Sequence, residues 1–431
     1  MRKKLIAALL MACGMASAQE LTYVPYSENG YLTGSTISNN GRYVGGGDRG
    51  GQAFIVDMTT GELKYFASPN VFEEGDDDVA ASVCFITDEG VGVGYLEGSA
   101  TRFDFATGEY TKLRDDFSTI TYTSQDGAFM CGYTYNEAYI TNPCWWKDGV
   151  MTQLPQPAAN RFDFGTNGAS VVAASADGRT IIGYIVDDFA TNPLLVWHLD
   201  KGDSTYSVEP ICKNWFDGTF DLDGRQPYDY FEGAAISANG KWIALNLHVK
   251  DPDWTLNTGM MMARYNVETD SLQILDCPDA DGDIYYYATG IANDGTVVGY
   301  IEESGYMRTA VICPSGETEV ETMSDAYPEI PAIAIMDENG MNTPCAITPD
   351  GRYIVGFGYA NLTEDDLCFA TWRIDTQSNP TGVESVETKK ETSDAAISTY
   401  SIDGTKVNRA KARGVLIEKM GNGAARKVVR R

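Results

Sequence analysis

The chain has 431 residues, 43% of them hydrophobic, enough apolar material for a packed core and too much for a disordered protein. It carries 61 acidic against 32 basic residues, a formal net charge of −29. A surface of that sign repels phosphate backbones and excludes nucleic-acid binding, and no stretch approaches the ~18 apolar residues of a membrane-spanning helix.

Residues 1–18 read as a secretory signal peptide. Arg2, Lys3 and Lys4 form a basic start, Leu5 to Met11 an apolar run, and Ala16-Ser17-Ala18 a small-residue cleavage site before Gln19. Leu10 to Cys13 offers an alternative lipoprotein processing site. A lone strand signal, LTYVPY, follows at 21–26.

One phrase is then written seven times: an extended run, a turn ending in Gly, and a second apolar run. The turn glycines are Gly41, Gly90, Gly127, Gly178, Gly240, Gly295 and Gly351, at intervals of 49, 37, 51, 62, 55 and 56 residues. Asn-Gly and Asp-Gly between two extended runs predict a tight hairpin, because Gly accepts the positive φ of the turn. In the first copy a third run (53–58) and a fourth, after the Thr59–Glu62 turn, complete four antiparallel strands, A to D. No run is long or periodic enough to predict a helix.

Repeats of this period mark solenoids or propellers, and four-stranded units mark propeller blades. The predicted fold is all-β: a seven-bladed β-propeller of four-stranded antiparallel blades over residues 19–381, plus a small C-terminal β segment. The seventh copy stops after strand C at TWRID (371–375), so residues 21–26 are expected to supply its strand D and close the ring. The phrases ITPDGRYIVGF and ASADGRTIIGY resemble the repeats of WD40-like and TolB-type propellers and of a class of bacterial extracellular repeats. That resemblance implies architecture and leaves activity open.

Residues 19–381 hold 18 basic and 55 acidic side chains, a net of −37. Such a surface suits an extracellular protein that binds cations or neutral sugars, although solubility alone is the commoner explanation of net charge. In the strand plan, A–B and C–D turns share one edge and are tight. The B–C and D–A loops share the other and are long, so function is expected there. Candidate ligand-binding residues are Tyr135 and Glu137 (loop 133–143), Asp187 and Asp188 (184–193), and Asp251, Asp253 and Trp254 (247–257). Tyr285 (277–287), Tyr306 (300–308) and Tyr359 (358–367) complete the set. Aromatic rings stack on sugar or peptide faces, and carboxylates accept hydrogen bonds from hydroxyls. The same residues suit a purely structural role as filler between blades and as solvated acids.

No motif requires a cofactor. Calcium is the one ion considered, at Asp279, Asp281 and Asp283; the spacing is not that of an EF-hand, whose first position would be Cys277 and whose twelfth would be Ala288. Asp217, Asp221 and Asp223 form a second acidic turn. Of eight cysteines beyond Cys13, only Cys131 and Cys144 make a pair worth testing as a disulfide. The chain has two histidines and no nucleophile elbow, zinc-protease motif or phosphate loop. Binding of a glycan or protein ligand is therefore the first expectation. A polysaccharide hydrolase or lyase using carboxylate pairs and a structural interaction platform are the alternatives.

Residues 382–396 are polar and read as a linker. Residues 397–431 carry Tyr400-Ser401-Ile402-Asp403-Gly404, Gly414-Val415-Leu416-Ile417-Glu418 and Lys427-Val428-Val429. They resemble, in shortened form, the C-terminal sorting domain of the Bacteroidetes type IX secretion system, with Leu416 where an aromatic is common. The resemblance implies engagement of secretion machinery and an outer-membrane-surface or extracellular location. A small accessory β-hairpin with a basic tail is the alternative.

Overall fold

All seven turn glycines sit at positive φ, between 67° and 96°, in the computed structural model. The residues flanking each glycine lock the turn. In the fourth copy the Ser175 hydroxyl donates to Asp177 Oδ1 (2.7 Å) and accepts from the Thr180 N–H (3.0 Å), while Asp177 Oδ1 also accepts from the Arg179 N–H (3.0 Å). Ser38 with Asn40, Ser124 with Asp126, Ser237 with Asn239 and Thr348 with Asp350 repeat this exchange. These turn acids and amides are committed to the backbone, as Asx-type turns require.

The structure describes residues 21–24, 32–48, 51–66, 81–137, 140–155, 168–185, 194–200, 205–211, 226–250, 258–277, 284–303, 306–361, 367–377, 396–401, 406–407, 414–420 and 425–430. After β1 (Leu21–Tyr23), the first copy folds as β2 (Leu32–Ile37), β3 (Tyr43–Asp48), β4 (Ala53–Asp57) and β5 (Glu62–Phe66), paired in that order. The second gives β6 (Ala81–Ile86), β7 (Val91–Leu96) and β8 (Ser99–Asp104), and it shares β9 (Glu109–Thr123) with the third, which adds β10 (Phe129–Tyr135), β11 (Thr141–Lys147) and β12 (Val150–Gln153). The fourth gives β13 (Ala169–Ala174), β14 (Thr180–Ile185), β15 (Leu194–Leu199) and β16 (Tyr206–Pro210), and the fifth β17 (Gln226–Ile236), β18 (Trp242–Lys250), β19 (Thr258–Asn266) and β20 (Ser271–Ile274). The sixth gives β21 (Ile284–Ile291), β22 (Val297–Glu303), β23 (Met307–Cys313) and β24 (Glu321–Thr322). Two helices, α1 (Met323–Ala326) and α2 (Pro331–Glu338), precede the seventh copy's β25 (Asn342–Ile347), β26 (Tyr353–Asn361) and β27 (Leu367–Asp375).

The last set is completed by the first strand of the chain. β1 pairs antiparallel with β27, Leu21 opposite Ile374 and Tyr23 opposite Trp372. Successive sets pack side by side, and the last packs on the first through β25, β26 and β2. That contact is tied by Gly34 N–H donating to Thr371 Oγ1 (2.9 Å) and Arg373 Nη1 donating to the Gly41 carbonyl (2.6 Å). Apolar clusters lie between neighbouring sets; Trp197 and Trp372 are fully buried in two of them.

The chain divides into two compact units, one of residues 18–378 and one containing 379–431. The second unit's described strands are β28 (Ala396–Ser401), β29 (Lys406–Val407), β30 (Gly414–Met420) and β31 (Ala425–Arg430), in the sheet order β29-β28-β30-β31.

Three details differ from expectation. The helices at 323–338 were not predictable from periodicity, because α2 is eight residues long and buries only Ile333 and Met336. Its start is set by Pro331, whose fixed φ suits a first helical position. The loop edge is not uniformly long either: β9 runs without a break from the outer strand of one set to the inner strand of the next, which accounts for the 37-residue interval. Finally, Cys131 and Cys144 do not form a disulfide. Cys131 is register-paired with Trp145 and packs with it, whereas Cys144 is paired with Gly132 and packs beside Trp146, so the two thiols sit on opposite faces of the sheet. No described helix is long and apolar enough to cross a membrane.

Candidate functional site

The inner strand of every copy skips one residue in register. This β-bulge bends the strand and re-aims the extra side chain. Ser35, Cys84, Thr121, Val172, Thr289 and Cys345 occupy six of these bulges, and all six line one cavity of about 250 Å³. All seven copies contribute to its wall, the fifth through Ala235, Ile236 and Ala238.

Opposite the bulge stands a glycine on the second strand in six copies. At Gly94 a Cβ would lie 2.0 Å from the Ser82 carbonyl oxygen. The bulge therefore explains the glycine of the Gly-Tyr or Gly-Phe pair written in most copies. Two bulge hydroxyls also bind neighbouring sets: Ser35 Oγ donates to the Val83 carbonyl (3.1 Å) and Thr289 Oγ1 to the Pro344 carbonyl (2.8 Å).

The residues lining this cavity include no carboxylate, imidazole, ammonium or guanidinium group. Burial pushes the Cys84 and Cys345 thiols up to about 12, so neither is a thiolate nucleophile near neutrality. The cavity can hold a small uncharged molecule or water. It has no acid or base with which to transform one.

The opposite edge of the sheets, where B–C and D–A connections lie, is aromatic. Tyr285 stacks on Tyr287 (6.5 Å between centroids) and Tyr287 on Tyr300 (4.8 Å, 17° between planes). Arg308 lies 4.7 Å over the Tyr300 ring and donates from Nε to Glu302 Oε2 (2.8 Å). Tyr135 packs edge-on against Tyr133 (5.7 Å), whose hydroxyl burial drives far above its usual range. Tyr359 meets Phe369 edge-on (5.6 Å), and Glu137 is exposed. Tyr306 stands out: it is 77% exposed and adopts φ of +64°.

Tyr285 lies in β21 and Tyr306 just before β23 of the same sheet, while Tyr135 ends β10, with Glu137 two residues beyond it, and Tyr359 lies in β26 of another sheet. Asp187, Asp188, Asp251, Asp253 and Trp254, and the calcium candidates Asp279, Asp281 and Asp283, lie outside the described residues. No group of three or more metal-ligating side chains occurs among the described residues. Sequence reasoning did not single out Tyr133, Tyr287, Tyr300 and Arg308; the available signal was the Gly-Tyr pair at 132–133 and 299–300.

The two histidines are not paired for catalysis. His198 approaches Glu209 (3.9 Å), with burial lowering its proton affinity, and buried His248 is brought down to about 4.

No family model matches the chain, and no curated protein does. Solved structures do. Oligogalacturonate lyase from Vibrio parahaemolyticus aligns over 85% of this chain and 97% of its own, with 11% identity and a TM-score of 0.49. The Cps50 (Swd1) β-propeller domain from Myceliophthora thermophila aligns over 82% and 98%, with 10% identity and a TM-score of 0.47. TolB from Acinetobacter baumannii aligns over 69% and 67%, with 13% identity and a TM-score of 0.36. At such identities a likeness concerns chain architecture, and the ligands and reactions of those proteins do not transfer with it.

Proposed function

We propose that residues 19–381 form a closed seven-bladed β-propeller that binds a glycan or protein ligand on its B–C and D–A edge. The closing role of β1, the contact of the last set with the first, and a cavity walled by all seven copies support the closed ring. The observation that carries the functional reading is the contrast between the two edges. The turn edge commits its acids and amides to backbone locks, while the other edge gathers Tyr285, Tyr287, Tyr300 and the exposed Tyr306.

In this reading the protein is secreted or displayed at the cell surface. Its signal peptide is cleaved after Ala18, and residues 397–431 engage secretion machinery. The test is thermal unfolding of the mature chain against a glycan panel, with calcium or EDTA. A midpoint that rises with ligand concentration supports binding to the native ring. Absence of any shift across the panel sinks the glycan form and leaves crosslinking to protein partners as the remaining route. Release of product from a stabilising glycan would move the protein to the hydrolase or lyase class.

A further inference from the structure

Among the described residues, four non-glycine positions have positive φ: Glu97, Asp148, Asp270 and Tyr306. Glu97 and Asp148 each precede a glycine in a tight turn, and Asp270 closes the turn between β19 and β20. Short polar side chains tolerate that conformation, but a tyrosine there is an outlier. Packing does not offset the strain, since the ring is 77% exposed. The Tyr306 N–H donates to the Glu303 carbonyl (3.1 Å), a bond that every residue except proline would supply.

The adjacent Met307 is 47% exposed, and its side chain lies near Gly340. Two residues beyond Tyr306, Arg308 pairs with Glu302 and covers Tyr300. This ion pair is self-neutralising, and it belongs to a chain of net charge −29. A polyanionic ligand would meet repulsion here with no free cation among these groups to offset it.

A sugar ring presents an apolar C–H face and a rim of hydroxyls. The exposed tyrosine matches the first, and a guanidinium with a carboxylate supplies donors and acceptors for the second. We propose that Tyr306 is the stacking platform of a subsite for an uncharged sugar ring, with Arg308 and Glu302 as its hydroxyl partners. The proposal rests on the ligand-binding reading above and narrows it to neutral glycans.

The full mature chain is titrated calorimetrically with neutral gluco-, manno- and xylo-oligosaccharides and, as charged comparator, oligogalacturonate. Wild type, Tyr306→Phe, Tyr306→Ala and Tyr306→Gly are compared. At least one neutral series should bind wild type and the Phe variant alike, and the Ala and Gly variants about tenfold more weakly. Tyr306→Gly should also raise the thermal midpoint, because glycine relieves the left-handed strain. Stability gained with binding lost is the signature of strain retained for a ligand. Equal binding by wild type and both truncations overturns the proposal, as does binding of oligogalacturonate alone. A lowered midpoint in Tyr306→Gly would mean that the ring packs, and overturns it as well. If wild type binds no oligosaccharide, the glycan reading itself falls with it.

Discussion

Replacing Gly94 by Ala tests whether the inner-strand bulge dictates the glycine opposite it. Gly94 has no positive φ, so an alanine there suffers no intrinsic backbone penalty. Its Cβ would stand 2.0 Å from the Ser82 carbonyl oxygen and 3.0 Å from the Cys84 amide nitrogen. Relief requires the two strands to separate by about 1 Å, against a ladder spacing of about 4.8 Å. Overpacking of this kind costs about 1–3 kcal/mol, and each ladder hydrogen bond lost adds about 1 kcal/mol. The expected loss is about 3 kcal/mol. Gly61→Ala is the control: Gly61 has φ of +73° and nothing within 4 Å of its added Cβ, so only the left-handed conformation opposes alanine, at about 1 kcal/mol. Both substitutions restrict the unfolded chain equally, so that term cancels in the comparison. Urea unfolding followed by tryptophan fluorescence reads the difference as a lower midpoint at constant slope. Equal midpoints for the two variants would refute the bulge argument.

Deleting residues 19–24 removes the outer strand from Trp372 and Ile374 and should lower the thermal midpoint of the whole 18–378 unit or render it insoluble; a soluble truncate melting like the intact chain would exclude closure by β1. Burial pushes the Asp375 carboxyl up, but the Arg352 guanidinium at 2.9 Å and the Gln377 N–H outweigh it and hold the group below the usual aspartate range. Its contribution is therefore present above about pH 4 and lost as pH falls through the lowered folded value. Arg352→Met should move the acid-unfolding midpoint to higher pH, and an unchanged midpoint would show that the pair contributes nothing. His248, lowered by burial to about 4, binds its proton more readily in the unfolded chain, so stability should fall on acidification from about pH 6.5 to 4 by about 3 kcal/mol. A buried, uncharged replacement such as His248→Leu should flatten that part of the pH–stability curve; an unaltered slope would assign the loss elsewhere.

The hairpins were legible because their determinants are local. A Ser or Thr, an Asp or Asn and a Gly within four residues specify the turn wherever they occur, and the structure places each turn glycine as expected. The orphan strand at 21–26 was legible because the last copy lacked its fourth strand, and β1 occupies that place. The bulges were not legible from their own residues. Serine, cysteine, threonine and valine fill equivalent positions, since what matters is the extra residue and the missing Cβ across the ladder. Gly94, Gly132 and Gly299 were visible in the sequence, but their meaning depends on a carbonyl from another strand. The same holds for the stacked Tyr285, Tyr287 and Tyr300: their spacing in sequence gives strand periodicity, and only the register of β21 against β22 puts the rings in contact.

The distribution of charge narrows where chemistry could occur. A cavity at the centre of a repeat array is the natural first place to look for a site. Here its wall is made of bulge residues and turn residues, and the thiols among them are held protonated by burial. In the A–B turns at that end, Asp88, Asp177 and Asp350 accept from neighbouring N–H and O–H groups. The proposed binding reading therefore puts recognition on the B–C and D–A connections and not in this cavity. The consequence can be tested without knowing the ligand. Filling the cavity, as with Val172→Phe, should leave binding at the Tyr306 edge intact, whereas Arg308→Ala should weaken it while the fold persists. Loss of binding in the filled variant alone would relocate the site to the channel.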